Sequence, residues 1–298
     1  MTYSIVARDE KTGEMGVAVQ SHYFSVGSVV SWARAGVGAV ATQSMAEISY
    51  GPLGLELMGS GKSAPEALEA LLRADTKLED RQVAMVDSKG RVAAHTGIKC
   101  IPFAGHVVGD NFSCQGNIMR SEKVWISMHD SFLRNGDLPF AERLVASLEA
   151  GEGAGGDIRG KQSAAMLVVS ADISPSYWPG RLIDLRVEDH PDPVPELKRL
   201  LRYQRGYDWV SKGDDLLSSA NYSDALKAYQ KALDLVPEVD ELKYWVGISL
   251  LATGQKEKGL SMMKGVFDRD RSWVQVTKGI LQTGSPPIDP ALVEDLMR

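Results

Sequence analysis

Two rhythms of apolar residues divide the chain. Up to residue 187, short apolar runs recur between clusters of turn residues; beyond residue 195, apolar positions follow helical spacing. Residues 2–8 and 15–20 read as strands on either side of the turn Glu10-Lys11-Thr12-Gly13, so the chain opens on a β-hairpin that starts at its second residue. A Ser/Gly-rich passage from Ser21 to Ser31 carries no clear element. The small residues of Gly36-Val37-Gly38-Ala39-Val40-Ala41-Thr42-Gln43 predict a buried strand with close backbone neighbours. Helices are predicted over 52–60, closed by Gly61, and over 65–74, where Ser63 and Glu66 have capping-box spacing. Strands at 82–87 and 91–96 flank the hairpin turn Asp87-Ser88-Lys89-Gly90, and shorter ones follow at 106–109 and 112–116. Helices at 122–133 and 139–150, a glycine-rich loop over 151–160, and strands at 163–169 and 182–187 complete the series. Paired strands separated by helix pairs predict an α+β fold with antiparallel sheets inside and helices outside, a four-layer αββα sandwich over residues 1–195.

The three prolines of Pro191-Asp192-Pro193-Val194-Pro195 predict a stiff linker or chain reversal. Residues 196–298 then read as a small all-α domain. Trp209, Gly213, Leu216, Ala225, Tyr229, Ala232 and Pro237 match the tetratricopeptide pattern, in which small residues let two helices touch and aromatics fill the gap. A 34-residue step places Gly247, Leu250 and Gly259 at corresponding positions of a second, degenerate repeat. Such a pair serves for contact with a partner, a second subunit or the N-terminal domain. A plain helical hairpin with coincidental spacing is the alternative.

A length of 298 residues exceeds what one core ordinarily supports, in keeping with two domains. Acidic residues outnumber basic ones 39 to 33, and the net charge of -6 argues against a nucleic-acid partner. Cys100 and Cys114 are too few for a disulfide framework or zinc knuckle and read as buried thiols. No signal peptide and no stretch of ~20 apolar residues is evident, so a cytoplasmic protein with no membrane partner is expected.

The candidate chemistry begins at Thr2. Removal of Met1, expected before a small residue, would leave a threonine whose own α-amine, with an ordinary pKa of about 7.7–8.0, can take the hydroxyl proton. Gln20, Ser21 and His22 follow the second strand, where a site near Thr2 would be lined, or else form an exposed loop. His95 ends a strand beside a glycine. Asn117 could donate to an oxyanion or cap the following helix. Arg159 would suit a substrate carboxylate by bidentate pairing, although loop arginines are more often solvated. No Gly-x-Ser-x-Gly elbow supports a Ser-His-Asp hydrolase, the five histidines lack metal-binding spacing, and no phosphate loop appears, so neither metal nor cofactor is expected.

The first domain resembles the Ntn-hydrolase superfamily, in which proteasome β-subunits open with the same Thr-led hairpin. Thr2 to Asp9, the second strand to Gln20-Ser21, and Phe112-Ser113-Cys114-Gln115-Gly116-Asn117 carry the likeness. More closely, the chain is similar to a prokaryotic family of uncharacterised Ntn-fold proteins. Its signature segments correspond to Thr2–Asp9, Gly16–Val19, Gly36–Gln43, Ala94-His95-Thr96-Gly97, Gln115-Gly116-Asn117 and Asp189-His190-Pro191-Asp192-Pro193. The resemblance implies the fold, adds Gln43 and Gln115 to the candidate substrate-binding residues, and implies a homo-oligomer. One departure matters: the stretch from Ser25 to Gly38 has no lysine where proteasome-type enzymes place one, only Arg34, which stays protonated. Two readings follow. One is an amide hydrolase acting on a small molecule, with Thr2 as nucleophile and Asn117 or backbone N–H groups at the oxyanion. The other is a non-catalytic Ntn-fold protein that binds a ligand and recruits a partner through its repeats.

Overall fold

The computed structural model describes residues 2–172, 180–219, 221–284 and 288–298, with Tyr222 described by its backbone only. Met1, whose removal the sequence anticipates, lies outside the described residues. Strands β1 (Thr2–Arg8) and β2 (Met15–Ser21) form the opening hairpin. A short helix α1 (Gly27–Val30) leads into β3 (Ser31–Arg34) and β4 (Gly38–Ser44). After helices α2 (Tyr50–Gly59) and α3 (Ala64–Ala74) come β5 (Arg81–Asp87), β6 (Val92–Thr96), β7 (Gly105–Gly109) and β8 (Phe112–Asn117). Helices α4 (Lys123–Arg134) and α5 (Phe140–Gly153) precede β9 (Ser163–Val169) and β10 (Arg181–Val187). The Ser/Gly-rich passage therefore holds α1, which its composition does not announce, and β3 begins at its last residue.

Among the described residues all the strand pairs are antiparallel, in a six-stranded sheet of order β10-β9-β2-β1-β8-β7 and a four-stranded sheet of order β3-β4-β5-β6. Side chains alternate across each strand, so the two faces of a sheet bury different sets. Val6, Met15, Val17 and Val19 of one sheet meet Ala39, Ala41, Ala84 and Val86 of the other in a single apolar cluster. The opposite face of the smaller sheet, with Val40, Val83 and Met85, packs on Tyr50, Leu55 and Met58 of α2 and Ala67 and Leu68 of α3. The larger sheet is covered by α4 and α5: Phe112 stacks on His129 and packs at a tilt against Phe132, and Tyr3 lies against Gly151. The result is a four-layer αββα sandwich.

Local rules explain the boundaries. The Ser63 hydroxyl accepts from the Glu66 amide while the Glu66 carboxylate accepts from the Ser63 amide, which completes the capping box of α3. Gly51 sits where a Cβ would come within 2.4 Å of the Trp32 ring, so only glycine lets α2 lie on β3. Gly90 turns the β5–β6 hairpin at φ +80.

The chain divides into two compact units, 1–200 and 201–298, and the division falls inside helix α6 (Pro193–Ser218). The predicted stiff linker is shorter than its prolines suggest, because Pro193 opens this helix, the position where a missing N–H costs nothing. The second unit continues with α7 (Tyr222–Leu235), α8 (Asp240–Ala252), α9 (Lys256–Phe267), α10 (Trp273–Thr283) and α11 (Pro290–Met297). Gly213 lies against the Tyr229 ring, and Gly259 against the carbonyl of Gly247, so small residues bring α6 to α7 and α8 to α9. Among the described residues no helix is long and apolar enough to cross a membrane.

Replacing Ser63 with alanine removes one of the two capping bonds. The chain should lose about 1 kcal/mol of stability, read as a lower urea midpoint with an unchanged slope.

Candidate active site

Thr2 begins β1 in the middle of the larger sheet, paired with Ser21 on one side and Asn117 on the other. Alternation aims Thr2, Ser4 and Val6 into the space between the sheets. That space changes character along its length. Around Val6 it is apolar, but towards Thr2 it fills with amides and hydroxyls: Ser4, Gln43, Gln82, Ser113, Gln115 and Asn117, all at most 1% exposed.

These groups satisfy one another. The Thr2 hydroxyl donates to Ser21 Oγ at 3.1 Å. The carbonyl of Thr2 accepts from Gln43 Nε2 at 3.2 Å and from Asn117 Nδ2 at 3.4 Å. Gln43 Nε2 and Asn117 Nδ2 both donate to Gln82 Oε1 at 2.8 Å. Gln82 Nε2 in turn reaches the carbonyls of Gly116 and Gly105 and the Thr96 hydroxyl. Ser4 donates to Gln43 Oε1 and accepts from Gln115 Nε2, each at 2.7 Å. At the far edge Thr96 Oγ1 lies 2.8 Å from His106 Nδ1, and burial, with a smaller contribution from His95, pushes the His106 imidazole below its ordinary range. Buried amides cost free energy unless paired, so this network fixes the end of β1 from both sheets at once.

A cavity of about 330 Å3 opens on Thr2. One wall is Val26, Val29 and Val30 of the α1 segment, and the other is Met45 and Ile48 of the loop after β4, with Gln43, Ser44 and Arg81 completing it. Arg81 is already engaged: its Nε donates to Asp75 at 2.8 Å, its Nη1 to the Met45 carbonyl at 2.5 Å, and Glu47 lies 3.9 Å away. The Arg81 hydrogen bond holds the Asp75 carboxyl below its ordinary range. Strain gathers here too. Of the four non-glycine residues with positive φ among the described residues, Ser25 precedes the first wall, Ser44 begins the second and Ile118 follows Asn117; the fourth, Asn111, turns a hairpin. Each such residue costs of order 1–3 kcal/mol, and strain of this kind concentrates at functional sites.

The residues singled out in the sequence fall into two groups. Thr2, Ser21, Gln43, Gln115 and Asn117 belong to one connected network. Gln20 alternates to the other face of β2, fully buried, and among the described residues neither atom of its amide has a partner. His22 donates its backbone N–H to Asp157, and its ring lies 3.3 Å from the Lys161 carbonyl. His95 points its Nε2 at the Leu78 carbonyl, 2.9 Å away and apart from Thr2's network. Arg159 makes its bidentate pair within the chain, with the buried carboxylate of Asp157. Arg34 donates to the Leu55 carbonyl of α2, on the outer face of the smaller sheet. Gln82 and the two apolar walls escape the sequence reading. Gln82 carried one usable signal, since alternation puts it on the same inward face as Ala84 and Val86. Among the described residues no cluster of His, Cys, Asp and Glu could hold a metal ion.

A larger cavity, about 530 Å3, lies within the second unit between α7, α8 and α9, walled by Leu226, Leu233, Val246, Leu250 and Met262. Its rim carries glutamines, one glutamate, one lysine and a serine but no nucleophile with a base.

The model of a family of unknown function, DUF1028, matches residues 2–197. None of the curated proteins matches the chain. Among solved structures the chain is similar to protein SPO2555 from Silicibacter pomeroyi, a DUF1028 protein, with 31% identity and a TM-score of 0.61 over 67% of this chain and 88% of that one. A fainter likeness is to Anbu (ancestral beta-subunit) from Yersinia bercovieri, with 10% identity and a TM-score of 0.32 over 66% of this chain and 92% of that one.

Gln82→Leu strands the amides of Gln43 and Asn117. It should cost about 2–4 kcal/mol, seen as a fall in Tm of several degrees or more. A second expectation concerns pH. A histidine held below its ordinary range contributes stability above the unfolded value of ~6.5 and loses it as pH falls through the folded one. Tm should therefore drop below about pH 6.5, and His106→Gln should flatten that part of the profile.

Proposed function

The chain belongs to the DUF1028 family, and from the geometry around Thr2 we propose that it is an Ntn-type hydrolase cleaving an amide bond in a small molecule. One observation carries this reading. Thr2 stands at the end of a central strand and lines a cavity, its hydroxyl donating to Ser21 and its carbonyl held from behind by Gln43 and Asn117.

With Met1 removed, the α-amine of Thr2 takes the hydroxyl proton as Oγ1 attacks the substrate carbonyl carbon. The carbon–nitrogen bond breaks, the amine departs with that proton, and the acyl group remains as an ester on Oγ1. Water, giving its proton to the same α-amine, then hydrolyses the ester, releases the acid and restores the hydroxyl. Asn117, with its Nδ2 on Gln82 and on the Thr2 carbonyl, acts in this scheme as a positioning residue, and backbone N–H groups meet the oxyanion.

The second unit is part of the proposal as a pair of tetratricopeptide-like repeats that bind a protein partner. The contacts of Gly213 with Tyr229 and of Gly259 with Gly247, together with the apolar groove between α7, α8 and α9, support it. A homo-oligomer belongs to the same reading, with light scattering of the purified chain as its check.

One observation favours a second reading, a non-catalytic ligand-binding protein: among the described residues lining the cavity there is no lysine to assist Thr2. Intact mass separates the two. A mass lacking Met1 leaves the base free; a retained Met1 blocks it and selects the binding protein. In the first case Thr2→Ala should abolish amide hydrolysis while Tm stays within a few degrees.

A further inference from the structure

The cavity beside Thr2 has a one-sided chemistry. Val26 and Val30 are almost wholly buried and form its depth, while Tyr23, Met45 and Ile48 are 54%, 67% and 45% exposed at its mouth. Large apolar side chains left in water around a concave site mark a place where apolar surface is covered in use. The polar groups at the inner end are spoken for. The Gln43 amide donates to the Thr2 carbonyl and to Gln82, and its oxygen accepts from Ser4.

Among the described residues of the lining, Arg81 alone has a charged side chain, and that side chain is already paired. Asp75 takes its Nε and Glu47 stands within 4 Å, so two carboxylates lie beside the one guanidinium of the lining. An anionic substrate group would find the Arg81 guanidinium already paired and would lose its hydration against valines. A neutral hydrocarbon chain meets only favourable terms.

We propose that this cavity is an acyl pocket: the substrate is an amide whose acyl group is an uncharged aliphatic chain, lying between the α1 valines and Met45–Ile48 with its carbonyl at Thr2. At roughly 30 Å3 per non-hydrogen atom, the share a water molecule takes in the liquid, about 330 Å3 corresponds to about eleven such atoms, so an amide of roughly ten, an eight-carbon acyl chain with its nitrogen and oxygen, fits. The assignment rests on Thr2 as the reacting group, and the test separates the two claims.

The probes are butanamide, hexanamide and octanamide, together with the monoamide of octanedioic acid, which ends in a carboxylate. Binding is measured calorimetrically on the full-length Thr2→Ala chain, and hydrolysis by ammonia release from the unaltered protein. Each added methylene should tighten binding about fourfold, or about 0.8 kcal/mol, up to octanamide. The ω-carboxylate should bind at least tenfold more weakly than octanamide. Ala46→Leu, at a half-buried position of the wall, should move the optimum to shorter chains. A flat series, no binding of any probe, or a carboxylate that binds as well as octanamide overturns the acyl pocket. Ammonia release without chain-length dependence also overturns it and leaves the Thr2 chemistry standing. Chain-length-dependent binding without ammonia release supports the pocket and sinks the hydrolase.

Discussion

The pairing of Gln82 with the end of β1 is the constraint on which the site depends. Gln82 belongs to the smaller sheet, yet its carboxamide oxygen takes the side-chain amides that hold the Thr2 carbonyl, and its nitrogen reaches the carbonyls of the larger one. Two sheets packed by valines and alanines alone could slide by fractions of an ångström at little cost. A carboxamide with both ends bonded across the gap cannot, because each lost bond leaves a buried polar group unpaired. The location of the Thr2 hydroxyl to within hydrogen-bond precision thus follows from a residue that never touches it.

Around that fixed point the interior is divided by chemistry. Amides and hydroxyls gather around Thr2, Gln82 and Asn117, and aliphatic side chains from both sheets and α1 pack together around Val6. Thr2 stands at the seam and lines the cavity, its carbonyl turned to the amides and its hydroxyl to Ser21. The residues with positive φ that begin each cavity wall show that the walls are held against local backbone preference, and the apolar core and the network supply what opposes that strain.

Much of this was legible in the sequence. Alternation in Thr2–Arg8 and Arg81–Asp87, the turn ending at Gly90 and the Ser63–Glu66 spacing give the sandwich its elements, because each is a local rule that tertiary context reinforces. Helix α1 and strand β3 were not read, since four residues are too short to show a period; Val26, Val29 and Val30 have helical spacing only in retrospect. For the site, Thr2 and its strand neighbours could be named because they follow one another along the first hairpin. Gln82 could not, since its importance comes from register between sheets. Arg159 shows the opposite failure: an isolated loop arginine looks available for a ligand, but the buried Asp157 two residues earlier already satisfies its fork.

The contact between Thr96 and His106 joins β6 to β7, the edge strands of the two different sheets. With the Gln82 bonds it closes one flank of the space between the sheets. The opposite flank is tied as well, where the Ser25 N–H donates to the Glu188 carbonyl and the Val26 N–H to Ser163 Oγ. The way to Thr2 that these ties leave is the cavity between α1 and Met45–Ile48.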